Sequence, residues 1–332
     1  MVKAIQFSRF GVPHEVAELI ELPDPGAPGE GEVILDMEAA AINPADLLQL
    51  EGRYGVERPQ LPVIGGGEGV GIVREIGAGV AHLKPGDRVL MLFAGRGNWR
   101  SSVKAKAARL FPLLPADPLQ LAMLTVNPAT ALAMLTGFVQ LSPGDWVIQN
   151  AANSGVGHSL IVLAKQHGWR SLNVVRRPGL EAELKALGAD AVLLDGPDLG
   201  ARVHSITGQK AAPKLGIDAI GGEGTRRIGH ALAEGGVIVN YGLLSGQPCM
   251  VDAAETVFRN VSLRGFWLVR WFASAAAQEI QKTYADLAAM VADGRIHVPV
   301  EATYPLSRYK EALAHAAREG RKGKILFTGG EA

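Results

Sequence analysis

From about residue 119 the chain alternates helical and strand-like runs, and few architectures accept that order. "LQLAMLTVNPATALAMLTGFV" reads as helix on either side of Pro128. Strand-like "WVIQNA" (146–151) follows, then a Gly turn and helical "HSLIVLAKQHG" (158–168). Next come strand "SLNVVRR" (171–177), helix "LEAELKALG" (180–188) and strand "DAVLLD" (190–195). Further strands are predicted at "LGIDAIG" (215–221) and "GGVIVNYG" (235–242), with a last one over "VSLRGFWLV" (261–269). Strands separated by helices can pair in parallel, because the helix supplies the crossover.

Residues 1–120 have another texture. "EVILDMEAAAI" (32–42), "GVGIVREIG" (69–77) and "DRVLML" (87–92) are short and punctuated by Gly and Pro, which suits antiparallel strands in a barrel or sandwich. A helix is predicted over 277–294, and 309–329 reads as helix then strand. The expected fold class is therefore α/β, a β-rich domain plus a doubly wound parallel-sheet domain. The parallel-sheet domain is expected over 121–270. The β-rich domain is expected over 1–120, with 271–332 returning to it.

Composition narrows the function classes. A chain of 332 residues, 48% hydrophobic, has ample material for a core. Lys plus Arg equals Asp plus Glu at 33 each, which gives no footprint for a general polyanion binder. No nucleic-acid partner is expected. The only cysteine, Cys249, cannot form a disulfide within one chain or a four-cysteine zinc site. The N-terminus shows neither an apolar signal core nor an amphipathic transit helix, and no apolar run reaches the roughly 18 residues of a membrane helix. The expectation is a cytoplasmic protein with no membrane partner.

"VIQNAANSGVGHSL" (147–160) is a strand, a turn of small residues, then a helix. In the G-x-G-x-x-G fingerprint of a dinucleotide loop, Ala152, Ser154 and Gly157 stand at the glycine positions. Only Gly157 is literal, so the motif is weak as a string and strong by context. Small residues let the backbone approach a pyrophosphate, and amides at a helix N-terminus favour negative charge. The competing reading is an ordinary tight strand–helix turn. The end of the next strand carries Arg176 and Arg177 and no acid. Guanidinium groups there suit a 2′-phosphate, so NADPH is preferred over NADH. A solvated arginine pair is the alternative.

A β-rich first part, a Rossmann block and a C-terminal return together resemble the medium-chain dehydrogenase/reductase superfamily over essentially the whole chain. That family pairs a GroES-like catalytic domain with a Rossmann domain and binds substrate in the cleft between them. Its zinc branch carries an early Cys and a His directly before a Glu. Here "AAINPADLL" (40–48) has Asn43 and Pro44 at the first place, and Gly67 precedes Glu68 at the second. The resemblance therefore implies a zinc-free site. The glycines of "LPVIGGGEGVG" (61–71) are turn residues feeding a strand, and Glu68 is a structural acid. Within that branch, "EGRYGVERPQLPVIGGGEGVG" (51–71), "GRGNWRSS" (95–102), "VNPATA" (126–131), "VIQNAANSGVG" (147–157), "NVVRRP" (173–178) and "LRGFWLVRW" (263–271) resemble 2-enoyl thioester reductases of the mitochondrial trans-2-enoyl-CoA reductase type.

That resemblance implies NADPH-dependent reduction of the C2=C3 bond of an enoyl-CoA or enoyl-acyl-carrier-protein thioester, hydride to C3 and proton to C2. Tyr54 is the implied proton donor; a phenol near pKa 10 is protonated at neutral pH. Asn127, Asn153, Ser154, Gly155 and Val156 are implied cofactor contacts, and Arg176 and Arg177 would take the 2′-phosphate. Tyr241, Gly242, Leu243 and Leu244 would line the cofactor groove. Phe266, Trp267, Leu268 and Val269 would pack near the nicotinamide, while Phe266 and Trp267 fit equally as core aromatics or dimer contacts. Lys324 would be a late basic cofactor contact, or else a surface lysine. Arg53, Arg58 and Arg270 are candidates at the cleft mouth. The strand around residue 263 reads as a sheet edge that superfamily relatives pair across a two-fold axis, so a homodimer is expected. Two other readings stay open: an NADPH:quinone oxidoreductase on the same scaffold, and a non-enzymatic crystallin-like or RNA-binding relative.

Overall fold

A computed structural model describes residues 1–55, 58–91 and 97–330. The segments at 51–71, 87–92 and 95–102 lie partly outside those residues. Two compact units emerge, Met1–Val126 with Gln281–Ala332, and Asn127–Ile280.

In the first unit, strand Glu32–Ile42 is the hub. It pairs antiparallel with Val70–Ile76, Ser102–Lys106 and Lys324–Thr328. Val300–Pro305 then adds parallel to Lys324–Thr328, so the C-terminal strands complete the sheet begun by the N-terminal half. A smaller sheet joins Val2–Phe7 to Ala17–Leu22 and Val63–Ile64.

The triple glycine acquires its reason here. The Trp99 indole is fully buried and lies against Gly65 and Gly66. A Cβ on Gly65 would stand 2.4 Å from its Cε3, and one on Gly66 2.5 Å from its Cδ1. Gly66 also has φ +99°, which L side chains avoid. Trp99 Nε1 donates to the Ala41 carbonyl at 3.2 Å, and its ring meets Phe327 edge-on at 5.3 Å between centroids. The glycines make a slot for an indole whose burial anchors the core.

The second unit is a six-stranded parallel sheet. Its order is Ala191–Leu194, Arg170–Val175, Trp146–Gln149, Leu215–Asp218, Val237–Asn240 and Ser262–Gly265. The central strand Trp146–Gln149 is wholly buried, as a strand covered on both faces must be. The sequence order steps outward from it in both directions, so its C-terminal end is the switch point where such sheets bind ligands. The last predicted strand is shorter than expected: pairing ends at Gly265, and Leu268–Ser274 is a helix. Among the described residues no helix is long and apolar enough to cross a membrane.

Candidate active site

Strand Trp146–Gln149 runs into a tight turn in which Ala151 adopts φ +48°. Helix Gly155–Gln166 begins directly after it, with Ser154 as N-cap accepting from the Gly157 N–H at 3.1 Å. A Cβ on Gly157 would lie 2.3 Å from the Ala152 carbonyl oxygen, so the one literal glycine of the motif permits the close strand–helix approach. Beneath the turn, Gln149 Nε2 donates to the Gly157 carbonyl at 3.0 Å and to Asn173 Oδ1 at 2.8 Å. Asn153, Ser154 and Gly155 are partly exposed and Val156 is buried. The arrangement leaves the first-turn amides of a twelve-residue helix facing a small-residue loop, which suits a pyrophosphate.

The neighbouring strand ends are tied together by one buried carboxylate, which the sequence reading missed. Asp218 accepts from Asn150 Nδ2 at 2.6 Å, Thr225 Oγ1 at 2.6 Å and Asn240 Nδ2 at 2.9 Å. It also accepts the N–H groups of Ile220 at 2.9 Å and Gly221 at 3.2 Å. Asn150 and Asn240 stand at the ends of the two strands flanking Leu215–Asp218. One residue type thus secures three loop take-off points, and its five donors offset the cost of burying a charge. The residue type at a strand end was the available signal in "GIDAIGG".

Tyr241 follows the Val237–Asn240 strand and is hydrogen-bonded to the Ser154 side chain. Burial pushes its phenol above the ordinary range; the Ser154 bond opposes that and the Asp218 charge adds to it. Gly242 passes so close to Ala219 that a Cβ would lie 2.7 Å from its carbonyl oxygen. Leu243 and Leu244 are exposed apolar side chains beside this turn. Arg176 is exposed and Arg177 half-buried, both directly after strand Arg170–Val175.

Asn127 opens helix Asn127–Gly137, which packs on helix Gly155–Gln166. Its side chain is buried, yet Nδ2 finds no hydrogen-bond partner among the described residues. A buried donor without an acceptor is costly and fits a site completed by a ligand. Phe266 is half-buried, meets Phe138 edge-on at 6.3 Å, and its N–H donates to the Asn240 carbonyl. Trp267 caps the helix that contains Leu268 and Val269, so the last two leave the strand on which they were expected.

In the first unit, Tyr54 is half-buried on the loop after helix Pro44–Leu50. Separately, a buried polar group surrounds Glu68. Glu68 Oε1 accepts from Asn43 Nδ2 at 2.6 Å and Oε2 from the Val126 N–H at 2.8 Å. Asp46 accepts the N–H groups of Asn43 at 2.7 Å and Gly67 at 2.8 Å. Lys324 lies buried here, its ammonium donating to Asn43 Oδ1, which rules out the alternative of a surface lysine. Two carboxylates face one ammonium, and burial raises Asp46 to about 6 and Glu68 to about 7, against the pull of Lys324. Burial pushes Lys324 down.

A zinc ion finds no fitting donors at these positions. Asn43 has both ends of its amide bonded already, and Gly67 has no side chain. Among the described residues no three His, Cys, Asp or Glu side chains are grouped to hold a metal.

Comparison with known proteins places this geometry. Residues 29–115 match the alcohol dehydrogenase GroES-like domain family, and residues 155–292 the zinc-binding dehydrogenase family. The mitochondrial enoyl-acyl-carrier-protein reductase of Rattus norvegicus is 37% identical over 98% of this chain and 88% of its own. Among solved structures, a putative NADPH:quinone reductase from Bacillus thuringiensis is 32% identical with TM-score 0.89, covering 98% of both chains. The complex of Etr1p with NADP and crotonyl-CoA is 26% identical with TM-score 0.86, covering 98% of this chain and 99% of that one. The expected cytoplasmic location is corrected by these comparisons, because the mouse, rat, human and Arabidopsis relatives are all named mitochondrial. The chain belongs to the enoyl thioester reductase family of the medium-chain dehydrogenase/reductase superfamily.

Proposed function

We propose that this chain is an NADPH-dependent, zinc-independent reductase of the C2=C3 double bond of trans-2-enoyl thioesters, carried by CoA or acyl carrier protein. The observation that carries the reading is the 36–37% identity to enoyl-acyl-carrier-protein reductases across 98% of the chain. Residues 121–270 serve as the NADPH domain, and residues 1–120 with 271–332 as the GroES-like catalytic domain.

NADPH, when bound, supplies the hydride that adds at C3. The Ser154-capped loop, with Asn153, Gly155 and Val156, holds its pyrophosphate, and Arg176 and Arg177 hold the 2′-phosphate. The buried Asn127 Nδ2, without a partner among the described residues, supports a direct bond to the cofactor. Tyr241, Gly242, Leu243 and Leu244 form one wall, and Phe266, Trp267, Leu268 and Val269 shield the reacting ring from water. Negative charge that develops on the thioester oxygen is relieved when Tyr54 delivers its phenolic proton to C2. Lys324 balances the buried acids of the catalytic domain, so its action on the cofactor is indirect.

A homodimer forms along the exposed edge strand Ser262–Gly265. Exposed Leu263, Val257 and Phe258 support that surface, and the Candida tropicalis reductase is a solved Etr1p/Etr2p heterodimer. The likeness to the Bacillus thuringiensis protein favours quinone reduction as a second reading.

The test is NADPH consumption with a panel of trans-2-enoyl-CoA esters and a simple quinone, on wild type and Tyr54→Phe. Dominant enoyl-CoA turnover that falls at least about 100-fold in the variant is expected for loss of a general acid. Reduction of the quinone alone, unchanged in the variant, makes the chain a quinone reductase and Tyr54 a packing residue.

A further inference from the structure

We infer that Phe10 is a positioning residue for Tyr54, gripping the loop that carries it from both sides. The inference rests on the proton-donor reading of Tyr54.

Phe10 lies between strand Val2–Phe7 and helix Pro13–Val16, in a segment tied to the end of helix Pro44–Leu50 by the Gly11 N–H bond to the Leu50 carbonyl at 3.0 Å. Its ring is fixed from below. It sits 6.2 Å from the Phe7 ring and packs against the core cluster that includes Phe7, Val16 and Leu50. Two residues before Tyr54, Gly52 adopts φ +70°, and a Cβ there would stand 2.8 Å from Phe10 Cγ and 3.1 Å from Cδ1. Only glycine lets the chain turn that tightly against the ring. Four residues after Tyr54, the Arg58 guanidinium carbon lies 5.3 Å from the Phe10 centroid. Arg58 Nε then donates to the Gly52 carbonyl at 3.2 Å, closing the clasp.

The two described flanks of the loop therefore rest on one aromatic ring rooted in the core. The Arg53 N–H bond to the Leu48 carbonyl at 2.8 Å adds a third tie on the near side. A group that must deliver a proton to a defined carbon needs this kind of fixation, because a displacement of about 1 Å can lower a rate about 100-fold. A loop carrying only a packing tyrosine has no such need.

The test is a double-mutant cycle, Phe10→Leu against Tyr54→Phe, read as kcat and KM with crotonyl-CoA and NADPH. Phe10→Tyr keeps the ring and serves as the conservative rescue. Arg58→Gln removes the clasp from the exposed side and leaves the core intact. Phe10→Leu is expected to lower kcat about tenfold in the Tyr54 background with KM held within about twofold, and to have little effect once Tyr54 is Phe. Phe10→Tyr should restore kcat, and Arg58→Gln should lower kcat by about threefold. An equal fall in both backgrounds would make Phe10 a structural residue and overturn the inference. So would a Tyr54→Phe loss of activity accompanied by an unchanged Phe10→Leu, which leaves the acid reading standing. A fully active Tyr54→Phe overturns both readings together. An Arg58→Gln change confined to KM overturns the clasp and makes Arg58 a thioester contact.

Discussion

Neutralising Glu68 should flatten the pH dependence of this protein's stability. In the fold, Glu68 and Asp46 share one buried environment with a single ammonium, Lys324. Burial, the largest influence, raises Glu68 from 4.5 to about 7. The folded chain therefore keeps a proton that the unfolded chain releases near its ordinary value. Between those two pKa values the native state binds more protons, so stability must fall as pH rises. The contribution is complete below the unfolded pKa and is lost as pH passes through about 7. The gap between 4.5 and about 7, at about 1.4 kcal/mol per pKa unit, amounts to about 3.5 kcal/mol, most of which falls between about pH 5 and about pH 8. Glu68→Gln has no proton to hold, so its stability should lack that fall. The assay is urea unfolding followed by tryptophan fluorescence at about pH 5 and about pH 8, with the linear extrapolation compared between proteins. The variant's penalty relative to wild type should shrink by about 3 kcal/mol between the two conditions. Parallel stability curves for both proteins would refute the argument. They would mean that Glu68 is charged in the fold throughout and that Lys324 outweighs its desolvation.

Gly66→Ala should destabilise the first unit by about 2–4 kcal/mol, since the new methyl group meets Trp99 in a left-handed backbone; a shift in urea midpoint worth less than about 0.5 kcal/mol would show that the indole has room to move. Removing either Arg176 or Arg177 as alanine should weaken NADPH binding about tenfold or more while NADH affinity changes less than about twofold, measured by titration of nicotinamide fluorescence. An equal effect on both nucleotides would place the pair away from the 2′-phosphate.

The parallel sheet could be read from residue order alone. Alternating apolar periodicity forces each strand to be followed by a helix that crosses over, and one tight strand–loop–helix turn, "QNAANSGVG", marks the switch point. The late strand "KILFT" was legible as a strand following a helix, and the fold places it antiparallel to Glu32–Ile42 and parallel to Val300–Pro305. The placement of Arg176 and Arg177 directly after strand Arg170–Val175 was also visible, since a strand end is a local property.

Other features depended on tertiary contacts between distant parts of the chain. Nothing in "LPVIGGG" announces that two glycines clear space for a tryptophan more than thirty residues later. Lys324 reads as a cofactor contact or a surface lysine, and only the pairing of Lys324–Thr328 with Glu32–Ile42 carries its ammonium to Asn43. Asp218 likewise gains its five donors from three separated segments that share only a sheet edge. Periodicity and turn chemistry act over a few residues, so sequence alone determined the elements and their order. Burial and hydrogen bonding act through space. Only the tertiary structure could decide which buried charge faces which, where an unpaired donor is left, and which ring the Tyr54 loop leans on.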